Sequence, residues 1–93
     1  MAKASGTFVI INERGLHARA ASVFVNVASR FDCVIEVEKD GRKVDGKSIL
    51  GIVSLVGVRG SSINVTAVGD DAAEAMEALR KLVALGFDEE STK

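Results

Sequence analysis

Residues 7–30 read TFVIINERGLHARAASVFVNVASR, and the pattern of apolar residues changes within this stretch. Thr7 to Asn12 is rich in β-branched and aromatic side chains and precedes the polar residues 13–15, which predicts a first strand. From Ala18 to about Arg30, apolar residues recur at helical spacing, at Ala21, Phe24, Val25 and Ala28. The stretch therefore predicts a strand followed by a helix that begins just after His17.

Two more strands and a short helix are predicted between residues 33 and 55. The apolar residues Cys33, Ile35 and Val37 alternate with Glu36 and Glu38, which is the period-two pattern of a strand with one buried face. The Asp-Gly pair at positions 40 and 41 favours a tight hairpin turn, so Arg42 to Val44 is predicted to return as the next strand. Ser48 stands at the N-cap position of a short, apolar second helix.

The C-terminal third of the chain predicts one more strand and one more helix. Residues 63–67 alternate apolar and polar side chains as a fourth strand. Asp71 and Glu74 then have the spacing of a capping box, with Asp in place of Ser or Thr, which predicts the start of a helix. This helix is predicted to bury Ala75, Leu79, Leu82 and Val83. Gly86 is placed to cap its far end, and the tail from Asp88 onward is expected to fray.

The predicted order is β-α-β-β-α-β-α, within a single domain over residues 1–93. No linker, internal repeat or low-complexity segment interrupts this order. A sheet with three helices on one face is the simplest way to bury elements that each have one apolar side. The sequence therefore predicts an α/β (α+β) two-layer open-faced sandwich with a four-stranded, mostly antiparallel sheet.

Composition and charge narrow the classes of function. Twelve Lys and Arg against thirteen Asp and Glu leave a net charge of −1, without the basic excess that binding to nucleic acid or to an anionic membrane demands. No apolar run approaches the roughly 20 residues of a membrane span. The N-terminal residues lack the apolar stretch of a secretion signal, so we expect a cytoplasmic protein.

Cysteine and histidine usage argues against a metal centre. One cysteine and one histidine cannot supply an ordinary structural zinc site, so neither metal nor cofactor is expected. Cys33 lies in an apolar strand pattern, and we assign it to packing.

His17 lies where the first helix is predicted to begin. The first N–H groups of a helix lack intrahelical partners, so this position forms an anion site that suits a phosphoryl group. Arg19 is placed to add charge-assisted hydrogen bonds to the phosphoryl oxygens. Position alone favours the simpler interpretation, a surface histidine beside a helix cap with Arg19 solvating the first turn, because most isolated histidines have no chemical role.

Two segments resemble motifs of the HPr family, the histidine phosphocarriers of the bacterial phosphoenolpyruvate-dependent phosphotransferase system. Residues 15–19, Gly-Leu-His-Ala-Arg, resemble the active-site motif of that family, which continues with proline where this chain has Ala20. Residues 47–52, Lys-Ser-Ile-Leu-Gly-Ile, followed by Ser54-Leu55, resemble its regulatory-serine segment. Both segments occur in the family's order, and with the matching order of elements the resemblance covers nearly the whole chain.

The resemblance implies a phosphohistidine carrier in a relay, rather than a free-standing enzyme, and it implies a monomer. His17 would accept the phosphoryl group from enzyme I, which draws it from phosphoenolpyruvate, and pass it to enzyme IIA domains in sugar uptake and its regulation. Arg19 would steady the phosphoryl oxygens. A docking patch beside His17 would consist of Ile49, Leu50 and Val53, whereas we assign Ile52 and Leu55 to the core.

Ser48 has two interpretations. Its position is fully explained by an N-cap. The resemblance implies instead that an HPr kinase phosphorylates it, where the host has that enzyme. The added dianion would then lie beside an apolar docking surface and block partners.

The resemblance leaves two alternatives. Ala20, in place of the family's proline, puts the rate of transfer in doubt and allows an HPr-like regulatory binding module that docks without relaying phosphate efficiently. The ending Gly86-Phe87-Asp88-Glu89-Glu90 is similar to that of some nitrogen-branch relatives called NPr, although the Ser48 segment resembles the sugar-branch proteins.

Overall fold

The computed structural model describes residues 2–87 and contains the predicted elements in the predicted order. The strands are β1 (Lys3–Val9), β2 (Val34–Lys39), β3 (Arg42–Asp45) and β4 (Ser62–Val68). The helices are α1 (Ala18–Ala28), α2 (Ile49–Ser54) and α3 (Ala72–Ala84). Within residues 2–87, no helix is long and apolar enough to cross a membrane. The expected fraying from Asp88 onward falls outside the described residues.

The four strands form one sheet in the order β1-β4-β2-β3, and every neighbouring pair is antiparallel. In the two central strands every second residue is buried, for example Ile35 in β2 and Val65 in β4. Their chain neighbours Glu36 and Asn64 point to the other face of the sheet and are exposed. The buried face packs against the helices, which contribute Phe24 and other apolar side chains to one core. The open-faced sandwich is therefore confirmed.

The first strand lies closer to the N-terminus than its apolar composition predicts. β1 ends at Val9 because its register with β4 pairs Lys3 with Val68 and Val9 with Ser62. Ile10 then forms backbone hydrogen bonds with Gly60 and Ser61. The prediction of a strand over residues 7–12 is wrong at both ends, since the length of the partner strand sets the limits of β1. Smaller differences of one or two residues occur at the ends of α1, β2, β3 and β4.

The predicted capping box at the start of α3 is wrong. The side chain of Asp71 makes no capping bond to α3. Its carboxylate instead accepts hydrogen bonds from the backbone N–H groups of Asp32, at 2.8 Å, and Cys33, at 3.0 Å. These bonds, that from Asp32 first, lower the pKa of Asp71. Gly69 brings the two segments together, because a Cβ there would lie 2.8 Å from the Cα of Cys33.

Cys33 has the environment of a packing residue. Its side chain is 2% exposed. Burial, followed by a hydrogen bond with the Asp71 carboxylate, raises the pKa of the thiol. A thiol that stays protonated at neutral pH is a poor nucleophile.

The predicted cap at the far end of α3 is confirmed. Gly86 follows the helix with φ of 64°, in the left-handed region that glycine adopts without a steric cost. The preceding N–H, that of Leu85, still donates to the carbonyl oxygen of Lys81 at 3.0 Å. Of the residues predicted to be buried in this helix, Ala75, Leu79 and Val83 are buried and Leu82 is half-buried.

Candidate functional site

His17 is the N-cap residue of α1, and its imidazole is part of the cap. The Nδ1 atom of the ring accepts a hydrogen bond from the backbone N–H of Arg19 at 3.2 Å. The first helical bond follows directly, from the N–H of Ala21 to the carbonyl oxygen of His17 at 2.9 Å. A ring nitrogen that accepts a hydrogen bond carries no proton, so this contact fits the tautomer protonated on Nε2. Nδ1 therefore faces the N–H groups of the first turn, and its lone pair accepts the Arg19 N–H in this conformation.

The loop that leads to His17 is closed by Asn12 and Gly15. The side-chain amide of Asn12 donates to the carbonyl oxygen of Gly15 at 2.9 Å, and the N–H of Gly15 donates to the Asn12 carbonyl oxygen at 3.1 Å. Gly15 has φ of 65°, which suits glycine. Sequence reasoning missed Asn12, although Asn at the first position and Gly at the fourth position of a β-turn, here Asn12 and Gly15, are favoured residues.

A second support for this loop comes from the segment after α2. The N–H of Leu16 donates to the carbonyl oxygen of Gly57 at 2.8 Å. A Cβ at Gly57 would lie 2.6 Å from Cδ1 of Leu16, and a Cβ at Gly15 would overlap the Gly57 oxygen. Gly15 and Gly57 thus let two backbone segments approach closely just before His17. This close approach could not be predicted from the spacing of residues along the sequence.

Ser48 and His17 lie at opposite ends of the α1–α2 pair. Gly57, just after α2, contacts Leu16, just before α1. At the other end, Nζ of Lys47 donates to the carbonyl oxygen of Phe31 at 2.7 Å. The helices are therefore antiparallel, and the 11-residue α1, about 16 Å long, separates the two ends.

The N-cap predicted at Ser48 is confirmed. Its Oγ accepts a hydrogen bond from the N–H of Gly51 at 3.1 Å. The side chain is half-buried, so the hydroxyl is close to the surface. A structural role for Ser48 is therefore present, and it does not by itself argue for or against modification.

Exposed apolar side chains occupy the surface of α2 and the turn that follows it. Leu50 is 83% exposed and Ile49 is also exposed, whereas Val53 is half-buried and packs against the core. Ile52 and Leu55 are buried, as assigned from the sequence. The structure adds Val56 and Val58, both exposed, which sequence reasoning did not single out. We call Ile49, Leu50, Val56 and Val58 the α2 apolar surface.

Basic side chains flank the loop around His17. Arg14 precedes Gly15, Arg19 follows in the first turn, and Arg59 follows Val58, and all three are exposed. Across residues 2–87, none of their guanidinium groups is paired with a carboxylate. The charge of Arg19 is therefore available to an incoming anion.

The fold and site together define a small open-faced sandwich that presents a histidine at a helix N-terminus. Residues 4–84 match the family model described as "PTS HPr component phosphorylation site". Phosphocarrier protein HPr of Pseudomonas putida is 44% identical over 81 residues, covering 86% of this chain and 90% of that protein. This chain therefore belongs to the HPr family of phosphocarrier proteins.

Two further relatives illustrate the range of the similarity. HPr-like protein Crh of Halalkalibacterium halodurans is 52% identical over 65 residues, covering 70% of this chain and 77% of that protein. The crystal structure of HPr-C-His from Thermoanaerobacter tengcongensis superposes with a TM-score of 0.89 at 46% identity, covering 92% of this chain and 97% of that one. The similarity thus includes both a phosphocarrier and an HPr-like relative.

Proposed function

We propose that this chain is a cytoplasmic phosphocarrier that accepts a phosphoryl group from enzyme I on Nδ1 of His17 and passes it to enzyme IIA. The observation that carries the proposal is the hydrogen bond from the Arg19 N–H to Nδ1, which aims the unprotonated ring nitrogen at the N-terminus of α1. Membership in the HPr family supports the same assignment.

The transfer is a single displacement at phosphorus. The lone pair of Nδ1 forms the new N–P bond while the bond from phosphorus to the donor breaks, and the donor leaves with that electron pair. For this attack the N–H of Arg19 must leave Nδ1, and it donates instead to a phosphoryl oxygen, where the helix N-terminus favours negative charge. The guanidinium of Arg19 adds a charge-assisted hydrogen bond to another oxygen. Passage to enzyme IIA repeats the displacement with the roles exchanged.

The α2 apolar surface supplies the docking contacts in this proposal. Its side chains lie between His17 and Ser48, so a partner seated over His17 also covers much of α2. Leu50 contributes most, because it is the most exposed of the large apolar residues. Phosphorylation of Ser48 places a dianion at the edge of that surface and weakens docking.

The test uses enzyme I, labelled phosphoenolpyruvate and the variant His17→Asn. Asn is a good N-cap residue, so this variant keeps an acceptor for the Arg19 N–H but has no nucleophilic ring nitrogen. We expect acid-labile label on the wild type and none on His17→Asn. The label should then leave the wild type when enzyme IIA is added. Absence of label on the folded wild type would refute the proposal.

An HPr-like regulatory binding module is the second candidate. It is favoured by the 52% identity to the relative named HPr-like protein Crh and by Ala20 in the first turn of α1. Binding of a partner protein with equal affinity by the wild type and His17→Asn would support this candidate. To distinguish a sugar-branch from a nitrogen-branch phosphocarrier, we would measure how fast the labelled chain transfers its phosphoryl group to the enzyme IIA of each branch.

A further inference from the structure

Val56 adopts a backbone conformation that is rare for its residue type. Its φ is 51°, in the left-handed region. A β-branched residue is crowded there, because its Cβ approaches the following carbonyl oxygen. The turn follows α2 directly, and the N–H of Val56 donates to the carbonyl oxygen of Val53 at 3.1 Å. Glycine is the usual residue at such a helix end, so valine here carries a steric cost.

The core does not account for this cost. The side chain of Val56 is 70% exposed, so its methyl groups gain little from burial in the free protein. The next residue, Gly57, turns its carbonyl oxygen toward the N–H of Leu16 and leaves room for the Leu16 side chain. The turn thus holds the loop before His17 with its backbone and directs the Val56 side chain to solvent.

Val56 lies close to His17, within the radius of a standard interface centred on that residue. The hydrogen bond between Leu16 and Gly57 limits the distance between the Cα atoms of Val56 and His17 to at most about 14 Å. A standard interface covers about 800 Å² on each partner, which corresponds to a patch with a radius of about 16 Å. A footprint of that radius centred on His17 therefore extends as far as Val56.

We propose that Val56 is a specificity-determining contact for the protein that phosphorylates His17, and that the left-handed turn presents its isopropyl group to that protein. Strained backbone conformations that the surrounding structure holds in place cluster at active sites and binding sites. The fitting partner surface is a shallow apolar depression beside its phosphorylated side chain. This inference rests on the proposed function and names one determinant of its first step.

The test compares Val56→Ala and Val56→Gly with the matched control Val34→Ala. Val34 is also 70% exposed, but it begins β2, beyond the end of α1 that lies away from His17. The rate of phosphorylation by enzyme I is measured as a function of the concentration of each chain. A small phosphoramidate serves as a second donor, which needs no docking surface.

We expect Val56→Ala to raise the KM for the chain about 15-fold and Val56→Gly about 50-fold, which correspond to the loss of two and three buried carbon atoms. The kcat of the enzyme I reaction and the rate with phosphoramidate should match the wild type, because His17 is untouched. Val34→Ala should leave every parameter unchanged. Circular dichroism checks that all three variants fold, as expected for exposed side chains.

Three results would overturn the inference. If enzyme I labels the wild type and the KM of Val56→Ala is unchanged, Val56 is not part of the interface, and the proposed function is unaffected. If the KM rises in Val56→Gly but not in Val56→Ala, the change comes from the backbone and not from the isopropyl group. If either variant reacts more slowly with phosphoramidate, the change comes from an altered geometry of His17. If enzyme I does not label the wild type at all, the proposed function fails, and this inference fails with it.

Discussion

The backbone N–H of Leu16 donates to the carbonyl oxygen of Gly57 at 2.8 Å, which joins two loops that lie 41 residues apart. The side chain of Leu16 fills the space that a Cβ on Gly57 would need. Because His17 follows directly, the position of its ring depends on the turn after α2. Substitutions in either loop should therefore affect the same site.

Alanine substitutions at Gly15 and Gly60 distinguish the cost of backbone strain from the cost of the close contact with Gly57. Both have positive φ, but a Cβ at Gly60 meets nothing within 4 Å, whereas one at Gly15 overlaps the Gly57 oxygen. Gly60→Ala should lose about 1–2 kcal/mol, the conformational cost alone. Gly15→Ala should lose about 3 kcal/mol or more and slow phosphorylation of His17, since it also pushes two backbone segments apart. Urea denaturation provides the comparison, and equal losses would contradict the overlap.

Ser48→Ala and Ser48→Asp separate the cap from the regulatory role. Alanine removes the acceptor for the Gly51 N–H and should lower the free energy of unfolding by about 1 kcal/mol, with phosphorylation of His17 unchanged. Aspartate keeps a capping oxygen, so stability should hold, but its charge beside Ile49 and Leu50 should raise the KM with enzyme I several-fold. Chemical denaturation and enzyme I kinetics measure the two effects. A wild-type KM in folded Ser48→Asp contradicts the regulatory role.

Ala20→Pro restores the residue that the family motif contains. Ala20 is the third residue of α1, and the first helical bond is donated by Ala21, so proline at position 20 removes no helical hydrogen bond. We expect about 0.5–1 kcal/mol of added stability, because proline restricts the unfolded chain, and a faster transfer to His17. Thermal denaturation checks the first effect. Destabilisation would mean that this site, only 1% exposed, has no room for the ring.

The contacts of Asp71 predict a pH dependence of stability. Because hydrogen bonds from Asp32 and Cys33 hold its pKa below the unfolded value of about 3.9, its charged form stabilises the fold. This contribution is complete above the unfolded pKa and is lost as pH falls through the lower, folded pKa. Asp71→Asn should therefore have a lower Tm than the wild type at pH 7, and the difference should shrink toward pH 2.

Glu77→Gln provides the control for this titration. The Glu77 carboxylate pairs with Arg80 on the exposed side of α3, where the pKa of Glu77 is also lowered. Exposed pairs of this kind contribute little to stability, so its Tm should stay close to that of the wild type at every pH. A constant difference between Asp71→Asn and the wild type from pH 7 to pH 2 contradicts the role of the charge.

Features with a local signal were correctly predicted from the sequence. The period of apolar residues located α1 just after His17, and Ser48 and Gly86 marked helix ends whose conformations are set by neighbouring residues. The limits of β1 were missed because they depend on the length of β4, more than 50 residues away. Asp71 had the spacing of a cap, yet its carboxylate bonds to a loop that the fold brings alongside it.

The same division applies to the candidate site. The resemblance of residues 15–19 and 47–52 to motifs of the HPr family was sufficient to identify the family and the candidate nucleophile. The apolar period that begins after His17 predicted the helix N-terminus that can hold an anion. The bond between Leu16 and Gly57, the antiparallel arrangement of α1 and α2, and the exposed left-handed Val56 required the folded chain. These features are contacts or conformations imposed by packing between distant segments, and such packing leaves no periodic trace in the order of the residues.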